Sequence, residues 1–216
     1  MLAKQLLAHR GFWTLGARPH LKKNSRFALE QALIAGFGLE IDIRDHMGEI
    51  VVSHDVPGRE AYPLPIDLLA QFDAPIAFNV KSDGLTTAFP DFFSEFREGN
   101  IFFFDMSFPE KRRYDEKGLP SAVRISEFES PSGFSSSWYW LDAWESEWYL
   151  KDEAAILVEL LSSGANVAIV SPELHGRDEK EAWQHIAPIL RDFTNAYLCT
   201  DFPDVFVNIY GGELKL

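Results

Sequence analysis

Residues able to do chemistry cluster in the first part of the chain. His9 and Arg10 close an apolar run, Glu40 and Asp42 stand two apart inside another, His54 and Asp55 follow an alternating stretch, and Asn79 and Lys81 end a fourth segment. Carboxylates two apart on a strand project from the same face. Two like charges in a confined site need a counter-ion, and a hard divalent cation held by carboxylate oxygens is the economical one. Imidazoles titrate near neutral pH, so a pair of histidines can exchange acid and base roles. Arg10 and Lys81 supply the positive charge that a phosphate oxygen requires. The other histidines, His20, His46, His175 and His185, read as surface or structural.

Short apolar runs alternate with longer amphipathic stretches along the whole chain, the pattern of strands joined by helices. It predicts strands over 5–8, 39–43, 76–80, 101–105, 122–125, 139–142, 167–170 and 197–200, with helices over 26–35, 85–97, 109–117, 152–163 and 178–192. In the 152–163 helix, Ala154, Leu157, Val158 and Leu161 form an apolar stripe, Asp152 is placed to cap it and Gly164 to end it. Eight strand-helix alternations in 216 residues point to an α/β fold, a compact (β/α)8 TIM barrel with trimmed helices. The segment 48–53 reads as an extra strand, a small hairpin insertion after strand 2 that carries His54 and Asp55. The fifth unit is the weakest, because Pro131 and Gly133 interrupt it. A doubly wound sheet is the alternative, but no glycine-rich loop follows the first strand.

In a barrel the reacting groups stand at the carboxyl ends of the strands. Here those ends carry His9-Arg10, Glu40, Asp42, Asn79, Lys81, Asp105, Asp142, Glu173 and Asp201. If Leu39, Ile41 and Ile43 pack outward against helices, Glu40 and Asp42 point into the mouth, and the same parity turns Asn79 and Lys81 inward. Trp140 and Asp142 share a strand face and are expected to line a substrate pocket. Glu173 and Arg177 follow the seventh strand, where barrels often bind phosphate.

The chain has 33 acidic and 20 basic residues, a net charge of −13 that repels polyanions, and its longest basic run is Lys111-Arg112-Arg113. Nucleic acid is therefore not an expected partner. The single cysteine, Cys199, excludes an internal disulfide and a cysteine metal cluster, and favours a reducing compartment. No apolar run approaches the ~20 residues of a membrane span. The expectation is one soluble cytoplasmic domain over 1–216, without a transmembrane segment and of open oligomeric state.

His9-Arg10-Gly11, Asn24, Ala28 at the start of a helix, Glu40-Ile41-Asp42 and His54-Asp55, in that order, resemble the opening half of the glycerophosphodiester phosphodiesterase family, one of the phospholipase C-like phosphodiesterase barrels. Phe78-Asn79-Val80-Lys81 resembles the family's third strand, and Cys199-Thr200-Asp201-Phe202-Pro203-Asp204 its closing strand and turn. The middle, 102–176, does not share the likeness. The resemblance implies metal-assisted hydrolysis of a small glycerophosphodiester, with His9 and His54 as the acid/base pair in either order. It places Mg2+ or Ca2+ at Glu40, Asp42 and Asn79 and Arg10 and Lys81 at the phosphate, and it allows a route through a cyclic phosphate. A cyclising lyase and a weakened binding protein on the same barrel are the alternatives. One position departs from the family pattern: Asn79 stands where a third metal-binding carboxylate is usual. It serves as a weaker ligand, or Asp105 or Glu173 compensates, or the metal is dispensable.

Overall fold

In the computed structural model the apolar runs form, among the described residues, eight parallel strands: β1 (Leu6–His9), β2 (Gly38–His46), β3 (Ile76–Val80), β4 (Ile101–Phe104), β5 (Ala122–Ile125), β6 (Trp138–Leu141), β7 (Asn166–Val170) and β8 (Ala196–Thr200). Residues 2–94, 101–130, 136–150 and 154–212 are described. β1 lies between β8 and β2; the ladder continues through β3 to β4 on one side, and through β7 and β6 to β5 on the other. Between β4 and β5 it shrinks to one parallel bridge, Phe103 to Ser121, beside a 2.8 Å bond from the Phe103 amide to the Pro120 carbonyl. This is the strand order of a (β/α)8 barrel.

The two faces of the strands build two apolar layers. Leu39, Ile41, Ile43, Phe78, Val80, Phe103 and Ile169 belong to the outer one, which packs against the helices. Each such residue fully buried is worth about 1.5–3 kcal/mol. Leu7, Ala77, Phe102, Phe104, Trp138, Trp140, Ala168, Tyr197 and Cys199 fill the interior. There Phe102 stacks on Trp138 at 4.0 Å and Phe104 on Trp140 at 3.8 Å, so aromatic rings from β4 and β6 plug the barrel below its mouth. The outward parity of Leu39, Ile41 and Ile43 leaves their polar neighbours on the inside.

The helix Arg26–Ile34 starts where expected, with Ser25 as N-cap accepting from the Ala28 amide. Phe108–Glu116 is capped by Ser107 with a proline in its first turn. The single helix expected over 85–97 is instead two short ones, Leu85–Ala88 and Pro90–Ser94. Phe89 precedes a proline, which disfavours the helical region, and it adopts φ −132°. In Ala154–Ser162, Leu157 and Leu161 are buried but Val158 is 45% exposed, so the apolar stripe is narrower than the spacing suggests; Asp152 lies outside the described residues. No helix joins β5 to β6 among the described residues, and Pro131 and Gly133 lie outside them.

The insertion after β2 is a hairpin, with Glu49–Val52 antiparallel to β2. Met47 and Gly48, at φ 49° and 85°, give the two left-handed residues that a tight turn of this hand needs. The returning strand delivers Ser53, His54 and Asp55 to the barrel mouth, where the Ser53 amide bonds the Asp42 carbonyl at 3.2 Å. Among the described residues no helix is long and apolar enough to cross a membrane.

Candidate active site

The His9-Arg10-Gly11 turn has a steric origin. Arg10 and Gly11 both adopt left-handed conformations, φ 58° and 88°. A Cβ on Gly11 would lie 2.7 Å from the Ala28 carbonyl carbon, so only glycine lets the helix backbone come this close. The turn is tied on both sides: the Arg10 amide bonds the Glu40 carbonyl at 3.0 Å and Glu40 Oε2 at 3.1 Å, and the Arg10 carbonyl accepts from the Asn24 amide at 2.8 Å. His9 and Arg10 are thereby fixed beside the β2 carboxylates.

Glu40 and Asp42 are buried and inward, as parity requires. Arg10 Nε lies 2.9 Å from Asp42 Oδ2, Asn24 Nδ2 donates to the same oxygen at 2.7 Å, and Lys81 Nζ is 3.6 Å from Asp42 Oδ1. A buried carboxylate is tolerable only with such partners, and removing one commonly costs about 3–5 kcal/mol. Glu40 is less well served. Burial, and then the charge of Asp42, push its carboxyl up to about 8, against the opposing pull of Arg10, Lys81 and a hydrogen bond from Asn79. Glu40 Oε1, Asp42 Oδ1 and Asn79 Oδ1 are all buried without a hydrogen-bond partner.

His9 Nδ1 lies 2.7 Å from Asp201 Oδ1, and its Nε2 lies 4.0 Å from Glu40 Oε2. Burial lowers the imidazole pKa, outweighing the Asp201 hydrogen bond and charge that raise it. Burial pushes the Asp201 carboxyl up, but the His9 hydrogen bond and the His9 and Lys23 charges outweigh it, and the net shift is down. An ionised Asp201 keeps the proton of a neutral His9 on Nδ1, which leaves the Nε2 lone pair free. Trp13 Nε1 donates to the same Asp201 oxygen at 3.1 Å. His54 is more open, with 41% of its side chain exposed, and its Nδ1 lies 2.9 Å from Asp55 Oδ1.

A cavity of about 220 Å³ collects these groups: His9, Arg10, Glu40, His54, Asn79 and Lys81 line it from one side. Phe104, Asp105, Arg124, Trp140, Asp142, Trp144 and His175 line it from the other. Asp105 bridges two cations, Lys81 Nζ at 3.2 Å and the Arg124 guanidinium, and Arg124 also pairs with both Glu129 oxygens at 2.6 and 2.9 Å. Asp105 therefore neutralises Lys81 and Arg124 and stands in no ligand set with Glu40 and Asp42. Asp142 Oδ1 lies 2.7 Å from His175 Nε2, and the Trp144 ring packs 4.7 Å from the same imidazole.

Several sequence expectations need revision. His175, read as surface or structural, lines the cavity. Glu173 does not: it accepts from Thr200 Oγ1 at 2.5 Å and from the Asp201 amide at 3.0 Å, and bonds Ser171. Burial raises its pKa, against the opposing hydrogen bonds of Ser171 and Thr200. Its place is behind β8, steadying the strand end that carries Asp201. Arg177 spans Glu147 and the Ala143 and Trp144 carbonyls, at 2.8, 2.6 and 2.7 Å, so it braces a loop. Arg124 was not anticipated, although alternation along β5 places it inward. The His9–Asp201 pair joins the first strand to the last, and nothing in linear spacing reveals that.

Among the described residues no group of three or more His, Cys, Asp or Glu side chains is placed to hold a metal ion. A cation here would rest on two carboxylates and an amide oxygen. The three orphaned buried oxygens of Glu40, Asp42 and Asn79 are hard donors of the kind Mg2+ and Ca2+ take, so the residues fit such an ion, with one negative charge fewer than a third carboxylate would supply.

No protein-family model and no curated protein matches the sequence. Solved structures do match it in fold. A glycerophosphodiester phosphodiesterase from Parabacteroides distasonis superposes with a TM-score of 0.71 at 13% identity over 98% of both chains. A glycerophosphodiester phosphodiesterase from Agrobacterium tumefaciens does so with a TM-score of 0.64 at 16% identity, over 96% of this chain and 99% of that one. At these identities the likeness shows a shared fold.

Proposed function

We propose that the chain is a phosphodiesterase of the glycerophosphodiester type, acting at the cavity between His9 and His54. The observation that carries this reading is that one cavity holds a half-buried, carboxylate-bound histidine, a second, exposed histidine and the cations Arg10 and Lys81. Cleaving a phosphodiester requires a base for the attacking hydroxyl, an acid for the leaving oxygen and positive charge on the phosphoryl oxygens. The fold shared with two glycerophosphodiester phosphodiesterases supports the same reading.

The environments of the two histidines divide the roles. His9, with its pKa lowered and its proton held on Nδ1 by Asp201, presents an Nε2 lone pair, the form of a general base. It takes the proton of the attacking hydroxyl, either water or the hydroxyl next to the diester on the substrate's own glycerol. His54, at the solvent edge, protonates the leaving alcohol oxygen and recovers its proton from water. Attack by the glycerol hydroxyl gives a cyclic phosphate; opening it reverses the roles, with water as nucleophile. Arg10 and Lys81, each already paired with Asp42, stand where they can share charge with the phosphoryl oxygens. A divalent ion held by Glu40, Asp42 and Asn79 would add Lewis-acid stabilisation at the phosphorus and supply the charge that keeps Glu40 ionised.

The test is phosphorus NMR of the purified protein with a glycerophosphodiester and magnesium or calcium. Glycerol phosphate should accumulate, directly or through a cyclic phosphate. A cyclic product that never opens indicates the lyase, and no cleavage of any diester overturns the reading.

A further inference from the structure

A second cavity, of about 260 Å³, adjoins the first and shares two of its residues, Asp105 and Arg124. Its origin lies in how β4 ends. The bridge between Phe103 and Ser121 sets a parallel register that, if continued, would set Phe104, Asp105 and Met106 opposite Ala122, Val123 and Arg124. The chain instead turns aside at Asp105, whose φ of 70° is a left-handed conformation disfavoured for any residue with a side chain. Among the described residues the β4–β5 ladder goes no further, and Ala122, Val123 and Met106 border the space beside it.

The charged side chains around that space are already matched. Lys111 bonds both Asp115 oxygens at 2.9 Å and Ser121 Oγ at 3.1 Å, Arg124 is paired with Glu129 and Asp105, and Asp105 also holds Lys81. A charged ligand would have to break one of these pairs and leave a partly buried charge without its partner. An uncharged, apolar group would break none, and would gain by covering half-buried Met106 and exposed Phe108 against the apolar floor that Ala122 and Val123 already form.

From this we infer that the second cavity is a specificity subsite that receives an uncharged, apolar alcohol portion of the substrate, its alkyl chain passing the Asp105–Arg124 pair from the phosphate site. The assignment rests on the phosphodiesterase reading, and goes beyond it by naming the leaving group: an aliphatic alcohol in preference to a charged headgroup.

The experiment is calorimetric titration, with magnesium present, of inorganic phosphate and of ethyl, butyl and hexyl phosphate. In the wild type, affinity should rise with chain length, by up to about fourfold per methylene buried. Met106→Trp, which fills the second cavity from its wall, should flatten that series; Met106→Phe serves the same purpose if the tryptophan variant does not fold. Equal affinity for the three alkyl phosphates, or an unchanged chain-length dependence in a folded Met106 variant, would overturn the subsite. The wild type is assayed in parallel on alkyl glycerophosphodiesters and on glycerophosphocholine. Chain-length-dependent binding without hydrolysis would sink the phosphodiesterase reading and spare the subsite; hydrolysis with a flat binding series would do the reverse.

Discussion

On the side of the cavity built by β1 to β3, Glu40, Asp42 and Asn79 each keep a buried oxygen without a hydrogen-bond partner. On the side built by β4 to β8 the carboxylates are matched: Asp105 to Lys81 and Arg124, Asp142 to His175, Asp201 to His9. Unsatisfied buried polar atoms are costly, and three of them beside one cavity form a cluster of donors for a ligand. The contrast separates an incomplete wall, with oxygen donors to spare, from a completed wall, whose charges are paired within the protein. Chemistry is assigned to the first; orientation of His9, shaping of the pocket and choice of substrate are assigned to the second.

The sharpest break of that contrast is His9→Ala. Loss of the base should lower kcat/KM on a glycerophosphodiester by at least about 100-fold. Circular dichroism should stay native, because the interior below His9 is closed by stacked rings. Asp201→Asn comes next, with a loss of about tenfold to 100-fold, since it removes the group that orients the base without removing the base. It carries a sign: the Asp201 carboxylate raises the His9 pKa, so the variant's acid limb in kcat/KM should move to lower pH even as the rate falls.

Glu40 gives a test on stability. In cation-free protein its carboxyl titrates near 8, well above the ordinary carboxyl range. Across that interval the folded protein keeps a proton that the unfolded chain has released, so stability falls as pH rises from the ordinary carboxyl value to about 8. Thermal melts in EDTA should show this slope in the wild type, a flatter one in Glu40→Gln, and relief by magnesium or calcium in the wild type alone. Asn79→Glu, which adds a third charge to the incomplete wall, should enlarge the cation-induced rise in melting temperature. A rise no larger than in the wild type would place Asn79 outside any metal site. His175→Ala, on the completed wall, should have the smallest effect, about twofold to fivefold and in KM more than kcat.

The incomplete wall was also the legible one. His9-Arg10-Gly11, Glu40-Ile41-Asp42 and Phe78-Asn79-Val80-Lys81 each lie on one strand or its exit turn, where alternation fixes which side chains turn inward. Gly11 is demanded by a contact with Ala28, only 17 residues on, so the signal is local and strong. The completed wall is assembled from pairs remote in sequence, such as His9 with Asp201 and Asp142 with His175, and pairing across a barrel leaves no periodic trace. Glu173 misled because the residues after a seventh strand often reach a ligand, whereas here Thr200 and the Asp201 backbone hold it back. His175 was missed for the opposite reason, since its partners at the cavity, Asp142 and the Trp144 ring, lie more than 30 residues back in the chain.

In the proposed mechanism the half-buried His9 is the base and the exposed His54 the acid. This division of roles is tested most directly by comparing turnover of an alkyl glycerophosphodiester with that of its p-nitrophenyl analogue, whose leaving group needs no protonation, in His54→Ala. His54→Ala should lose at least about 100-fold on the alkyl diester and regain most of that loss on the p-nitrophenyl diester. Equal losses on both substrates would contradict it.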